Sequence, residues 1–372
     1  MQEAVNISIM HHFNGILDPR RKPLHIMAEI LTIALCATIS GADNLVGVVK
    51  WAEQNTPWLQ DILELPYGLP SHDTVGRVLS IIDPKEFEQC FVNWVNAVFK
   101  RTDGDIIPID GKLLNGSSDK NSAIQAINVV GAFSTANNIL LGQVKTSTKS
   151  NEIVAIPELL KLLDINNCIV TIDAIGCQMK ITSDIVEKGG DYVIAVKDNQ
   201  PTLHTEIKES FDSALELEGH GIEFIETQGN DHGRQEVRRY YLLNNTEDCE
   251  RLHDFSGAES IGMVESIRTV NGKTSRETRY FLLSFFATVA LFSQCVRDHW
   301  RIENSLHWVL DVAFREDEAR IRKDNSPANM GTIRRAAYNM IKQEKTEKVG
   351  VAIKRKIAGW NKKYLEKIIG LC

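Results

Sequence analysis

Two short apolar runs, each closing on an aspartate and then a turn of small residues, constrain this chain more than any other feature. Ile106, Ile107 and Ile109 lead into Asp110-Gly111, and Ile169, Val170 and Ile172 lead into Asp173, followed by Ala174, Ile175 and Gly176. Short apolar runs bounded by turn signals read as buried strands. Between them the sequence predicts a hairpin of Ile124–Ser134 and Ile139–Thr146 across Asn137-Asn138. Behind Ser150, a candidate cap, Ile153, Ile156, Leu159, Leu160 and Leu163 recur at helical spacing. A helix from about Gln178 to Glu187, stopped at Gly189-Gly190, and a strand Tyr192–Val196 complete the order β-β-β-α-β-α-β. That order predicts an α/β domain with a mixed sheet covered by helices. Ligands of open α/β sheets bind at strand ends, where Asp110 and Asp173 can converge although 63 positions separate them. Converging carboxylates repel unless a cation or proton lies between them, and their oxygens suit Mg²⁺.

The flanks have a different period. From about residue 23 to 100 apolar positions recur at helical spacing, with breaks at Gly41, between Pro66 and Pro70, and at Pro84. Within this stretch Ser71 can cap a helix through Val75, Val78 and Leu79, the outline of a helix-turn-helix, though a plain helix pair explains it equally well. Hairpin signals return between about 215 and 288, with Asn271-Gly272 separating Val264–Val270 from Thr278–Leu283. A long helix, roughly Ala290–Val312, then puts His299, Glu303, His307 and Asp311 in one column at four-residue spacing, with Trp300 beside it. The resulting division is a helical region 1–100, an α/β domain 101–330 with a β insertion at about 215–288, and a basic helical tail 331–372.

Charge sharpens the division. The formal net charge is −7, yet residues 331–372 hold eleven Lys or Arg against three Glu. Such a pole suits a polyanionic partner, since Lys and Arg contacts to phosphate dominate nucleic-acid affinity. Seven cysteines without a CxxC pair argue against a disulfide framework or a cysteine-type zinc site. The longest apolar run, Ile30–Ile39, is too short for a bilayer, and the N-terminus has no leader pattern, so a cytoplasmic protein without a membrane partner is expected. Gly116-Ser117-Ser118 does not form a phosphate loop, so no nucleotide cofactor is expected.

The segments IPIDGKLLNGS (108–118), KSNEIVAIPELL (149–160), TIDAIGCQ (171–178), GGDYVIAVKDNQ (189–200), DHGRQEVRRYYL (231–242) and RDHWRIENSLHWVLDVAFREDEARIR (297–322) resemble the H-repeat-associated transposase family. PSHDTVGRVLS (70–80) is similar to that family's helical leader, so the resemblance spans most of the chain. It implies a DDE transposase with a ribonuclease-H-like catalytic domain carrying a β-rich insertion, preceded by a small all-helical domain. The first two acids then lie on strands and the third on a helix: Asp110, Asp173 and Glu303. Where the wider group has Tyr, Arg, Glu and Lys along this helix, the chain has Val296, His299, Glu303 and Leu310, so only the Glu matches. The usual Arg after the first Asp is also replaced, in Gly111-Lys112-Leu113-Leu114-Asn115.

The function this implies is cleavage at insertion-sequence ends and transfer of the freed 3′-hydroxyl into target DNA. Two Mg²⁺ or Mn²⁺ ions held by Asp110, Asp173 and Glu303 would serve both steps. The expected partners are the element's terminal repeats and target DNA, with a homodimer holding two ends. Candidate DNA contacts are Lys112, His299, Arg322, His232, Arg234, Arg238, Lys354, Arg355 and Lys356. Two other readings compete. A decayed or domesticated relative would bind DNA without cutting it. A zinc hydrolase would use His299, Glu303 and His307, but its histidines would be eight residues apart rather than the four of a His-Glu-x-x-His helix.

Overall fold

The central strand Ile106–Leu113 (β1) has two neighbours of opposite sense, and this sets the topology. Its first half, Ile106–Ile109, pairs in parallel with Ile169–Ile172 (β4), while Ile109–Leu113 pair antiparallel with Asn128–Ser134 (β2). β2 turns back into Ile139–Thr146 (β3) through Asn138, which adopts a left-handed φ of 55° as the Asn-Asn pair predicts. β4 pairs in parallel with Asp191–Val196 (β5). These details come from a computed structural model describing residues 9–100, 102–118, 125–146, 152–217, 221–231, 234–244, 246 and 248–371. Ser150, Ile124 and His232 lie outside the described residues.

The order β3-β2-β1-β4-β5, with only the last three strands parallel, is the ribonuclease-H-like arrangement. The β insertion extends this same sheet. Ile222–Asp231 (β6), Arg234–Leu243 (β7), Ser260–Val270 (β8) and Lys273–Leu283 (β9) form a meander whose last strand pairs antiparallel with β5. β5 is thereby paired on both sides and no longer presents an open edge. Asn271 and Gly272 both have positive φ, the geometry of the tight turn that an Asn-Gly pair favours.

Period-two alternation gives the sheet two different faces. Ile107, Ile109, Val170, Ile172 and Ile194 pack with Ile156, Leu159, Ile181, Ile185, Leu203 and Ile207, which come from helices Glu152–Leu162, Met179–Glu187 and Pro201–Glu216. Ile106, Ile169, Val193 and Ala195 face the other way, against Phe292, Cys295 and Val296 of helix Val289–His299.

A third core lies beside the sheet. Helices Met27–Ile39, His72–Ile81 and Pro84–Val98 share it with Ser326–Gln343, Val351–Trp360 and Lys362–Ile369. The basic helices of residues 331–371 pack into this core: Ile333, Ala337, Ile341, Leu365 and Ile368 share it with Ile30, Leu31 and Ala34. The apolar stripe of these helices overrides their charge count, because burial of each large aliphatic side chain contributes about 1.5–3 kcal/mol. Ser71 caps its helix as expected, accepting a hydrogen bond from the Thr74 amide. No helix among the described residues is long and apolar enough to cross a membrane.

Candidate functional site

The parallel register of β1 and β4 aligns Ile109 with Ile172. The residues that follow, Asp110 and Asp173, are therefore adjacent strand-end positions, and parallel strands lie about 4.8 Å apart. Parity fixes their side. Asp110 shares a face with Ile106 and Asp173 with Ile169, so both turn toward helix Val289–His299 rather than into the opposite core. Asp173 also caps the short turn Ala174–Gly176, accepting from the Ile175 amide at 3.2 Å.

Glu303 reaches the same place by a less regular route. The long helix expected over Ala290–Val312 is interrupted: it ends at His299, and Ile302–His307 forms a π-helical turn before α-helix resumes at Trp308–Phe314. The cause is legible in the spacing. Ile302, Leu306, Leu310 and Phe314 are all buried in the helical core at strict four-residue intervals. On an α-helix of 3.6 residues per turn, each such interval drifts by about 40°. A wider turn with bonds five residues apart takes up part of that drift and keeps the four side chains in one core.

The polar column alternates with the apolar one and runs along the strand ends. His299 Nδ1 lies 2.9 Å from Thr171 Oγ1, His307 Nδ1 lies 3.8 Å from Asp110 Oδ2, and Asp311 takes both its carboxylate oxygens to within 2.7 Å of Lys112 Nζ. Asp110, Asp173 and Glu303 line one cavity of about 200 Å³, together with His299, Lys197 and Arg279.

Electrostatics records the crowding. Burial pushes the Asp110 carboxyl up to about 7, against a hydrogen bond from the Gly111 amide, and the negative charges of Glu303, Asp173 and Glu152 raise it further. His307 is pushed the other way, to about 3, by burial and then by the positive charges of Lys112 and Arg335. Burial likewise lowers His299, against the attraction of Asp173. Both imidazoles are therefore neutral near pH 7. Three carboxylates around one cavity, one of them partly protonated in the absence of a counter-ion, fit a divalent cation chemically. Among the described residues no three His, Cys, Asp or Glu side chains form a ready-made cage for a single ion. The two histidines also serve different partners, Thr171 and Asp110, which removes the basis for a His299–Glu303–His307 zinc site.

The other expected contacts divide sharply. Lys112 is buried and engaged by Asp311, with Asp317 at 3.8 Å, so its charge serves the protein interior. Lys354 is buried against the carbonyls of Ile341 and Glu344 and the Glu344 carboxylate, and Arg355 donates to the carbonyls of Thr38 and Ala42 and to Asp43. Neither can reach a phosphate, because both terminate helices internally. Lys356, on the same helix, is exposed. Arg238 pairs with Glu236 on β7, while Arg234 is placed only by its backbone on that strand. Arg322 lies beside the Gly116 carbonyl at 3.4 Å.

Three residues were not picked out from the sequence as candidates. Lys197 directly follows β5, on the same face as Asp110 and Asp173 but two positions beyond their level, and Arg279 comes from β9. The third is Glu152, a buried carboxylate that accepts from Asn128 Nδ2 at 2.6 Å and packs against Gly111. Its signal was the glycine itself: a Cβ at position 111 would lie 2.3 Å from Glu152 Oε1.

Comparison with known proteins matches residues 101–340 to the family model of the transposase DDE domain, and residues 10–95 to a DDE_Tnp_1-associated model. The chain is 39% identical to "Putative transposase YncI" of Escherichia coli O157:H7, covering 98% of this chain and 95% of that one. It is 36% identical to "H repeat-associated putative transposase YhhI" of Escherichia coli K12, covering 97% of each. Among solved structures, a piggyBac transposase synaptic complex with hairpin DNA superposes with a TM-score of 0.43 at 10% identity, covering 99% of this chain and 78% of that one.

Proposed function

This chain belongs to the DDE transposase family, in its H-repeat-associated group, and from that premise we propose that it cuts an insertion sequence at its ends and joins the freed 3′-hydroxyl to target DNA. The observation that carries this reading is the shared cavity of Asp110, Asp173 and Glu303, reached from two adjacent strand ends and a π-helical turn. These three carboxylates would hold Mg²⁺ or Mn²⁺, two ions in all, which when bound activate the attacking oxygen and stabilise the leaving one.

The chain's own groups do the rest. Asp110, beside both other acids, would be held ionised by a nearby cation, which offsets the burial and negative charge that raise its carboxyl. Lys197 and Arg279 bring positive charge to the same cavity and can hold the non-bridging oxygens of the scissile phosphate. Arg279 sits over the Trp300 ring, 5.5 Å from its centroid, and donates to both carboxylate oxygens of Glu277 at 2.8 and 3.0 Å, which fixes its guanidinium at the edge of the cavity. His299, half-buried and held neutral by that burial, can donate or accept a hydrogen bond but adds no charge. Two element ends must be held together for transfer, so a homodimer on DNA is part of this proposal.

The test is incubation of purified protein with labelled element-end DNA and Mg²⁺ or Mn²⁺, comparing wild type with Asp110→Asn, Asp173→Asn and Glu303→Gln. Metal-dependent nicking and strand transfer lost in all three variants supports the reading. Binding without cleavage by wild type points to a DNA-binding relative, and activity surviving Glu303→Gln sinks the site assignment.

A further inference from the structure

Arg77, Arg320 and Lys323, from distant parts of the chain, come together along one groove of about 1060 Å³. One wall is made by the starts of helices Leu45–Gln54 and His72–Ile81, the other by residues 315–323, which follow the helix of Glu303. All three cations are exposed, and none pairs with a carboxylate among the described residues. Two of the groove's acids are engaged by arginines, Asp43 by Arg355 at 3.0 Å and Glu318 by Arg315, while Asp73 lies 3.3 Å from His72. Three side-chain cations thus line the groove without a carboxylate partner among the described residues, in a chain whose net charge is −7.

The chemistry of the lining narrows the occupant. No Phe, Tyr or Trp is among the described lining residues, so the groove lacks the large aromatic side chains on which single-strand binders stack successive bases. It offers side-chain cations together with two helix N-termini of ten-residue helices, whose dipoles favour anions. We propose that this groove grips the sugar-phosphate backbone of duplex DNA, at a place distinct from the cleavage cavity and without reading base sequence. The proposal rests on the transposase reading and specifies where the duplex is anchored: at the seam between the helical core and the segment leaving the Glu303 helix.

The experiment measures duplex binding by the full chain in EDTA, where no cleavage occurs, over a series of KCl concentrations. The groove variant is Arg77→Ala/Arg320→Ala/Lys323→Ala. The control is Lys161→Ala/Lys208→Ala/Lys348→Ala, which removes three exposed cations outside the groove. Loss of three phosphate contacts makes the slope of log K against log salt shallower by about 3, at roughly 0.9 per phosphate. That change in the groove variant alone, with the slope restored in an Arg77→Lys/Arg320→Lys protein, supports the proposal. An unchanged slope, or an equal change in the control, overturns the groove and leaves the transposase reading standing. Failure of wild type to bind any duplex overturns both.

Discussion

Lys112 Nζ stands 2.7 Å from both carboxylate oxygens of Asp311, tying the strand that carries Asp110 to the helix that carries Glu303. The lysine is buried and Asp311 one-third exposed. Lys112→Met leaves Asp311 and Asp317 without their cation, and a loss of about 2 kcal/mol is expected, between surface and buried ion-pair values. Urea unfolding measures it. Restoration of part of the loss in Lys112→Met/Asp311→Leu would show that the penalty is the unpaired charge.

Gly111 and Glu152 are in such close contact that alanine at 111 must displace the carboxylate. Gly111→Ala is therefore expected to retain its fold and DNA binding while single-turnover cleavage falls by about 100-fold, the cost of a misplacement of roughly 1 Å at a reacting centre. Cleavage within a few-fold of wild type would mean that Asp110 is held by other contacts.

Glu88 carries a pH dependence far from the proposed chemistry. It accepts from the Gln143 amide at 2.8 Å, and burial pushes its carboxyl up to about 7. The folded protein keeps a proton that the unfolded chain releases near pH 4.3, so this group's contribution is greatest below that pH. It declines as pH rises toward 7, by roughly 3 kcal/mol in total. Glu88→Gln should flatten the stability profile between pH 4.5 and 7, read from urea midpoints at successive pH values. A profile as steep as wild type would place the dependence elsewhere.

Arg355 offers a contrast with the groove cations. It joins the C-terminal helices to the carbonyls that end helix Met27–Ile39 and lies over the Phe314 ring at 4.3 Å. Arg355→Ala is expected to lower stability by about 3 kcal/mol, leaving buried carbonyls and Asp43 unpaired, while the salt slope of DNA binding stays unchanged. A shallower slope with normal stability would return this residue to the DNA surface.

Local sequence was enough to specify β1 to β5, the Asn-Asn and Asn-Gly turns and the two aspartates at strand ends, though β2 begins at Asn128 rather than Ile124, and it located neither β6 and β7 nor helix Pro201–Glu216. Periodicity, turn residues and strand length are properties of neighbouring positions. The polar column of His299, Glu303, His307 and Asp311 was legible for the same reason. What the sequence could not express locally is which cores those positions serve. Only packing of Ile302, Leu306, Leu310 and Phe314 into the helical core produces the π-helical turn that presents Glu303. Only the same core turns Lys354 and Arg355 inward, because a count of charges says nothing about which side of a helix is buried. Glu152, Lys197 and Arg279 join the site, and Arg77 meets Arg320 and Lys323, through contacts between residues far apart in the chain. Sequence determined most of the elements and the carboxylates they end on; tertiary structure decided which charges stay exposed and which are paired inside, since burial and pairing arise only when distant segments meet.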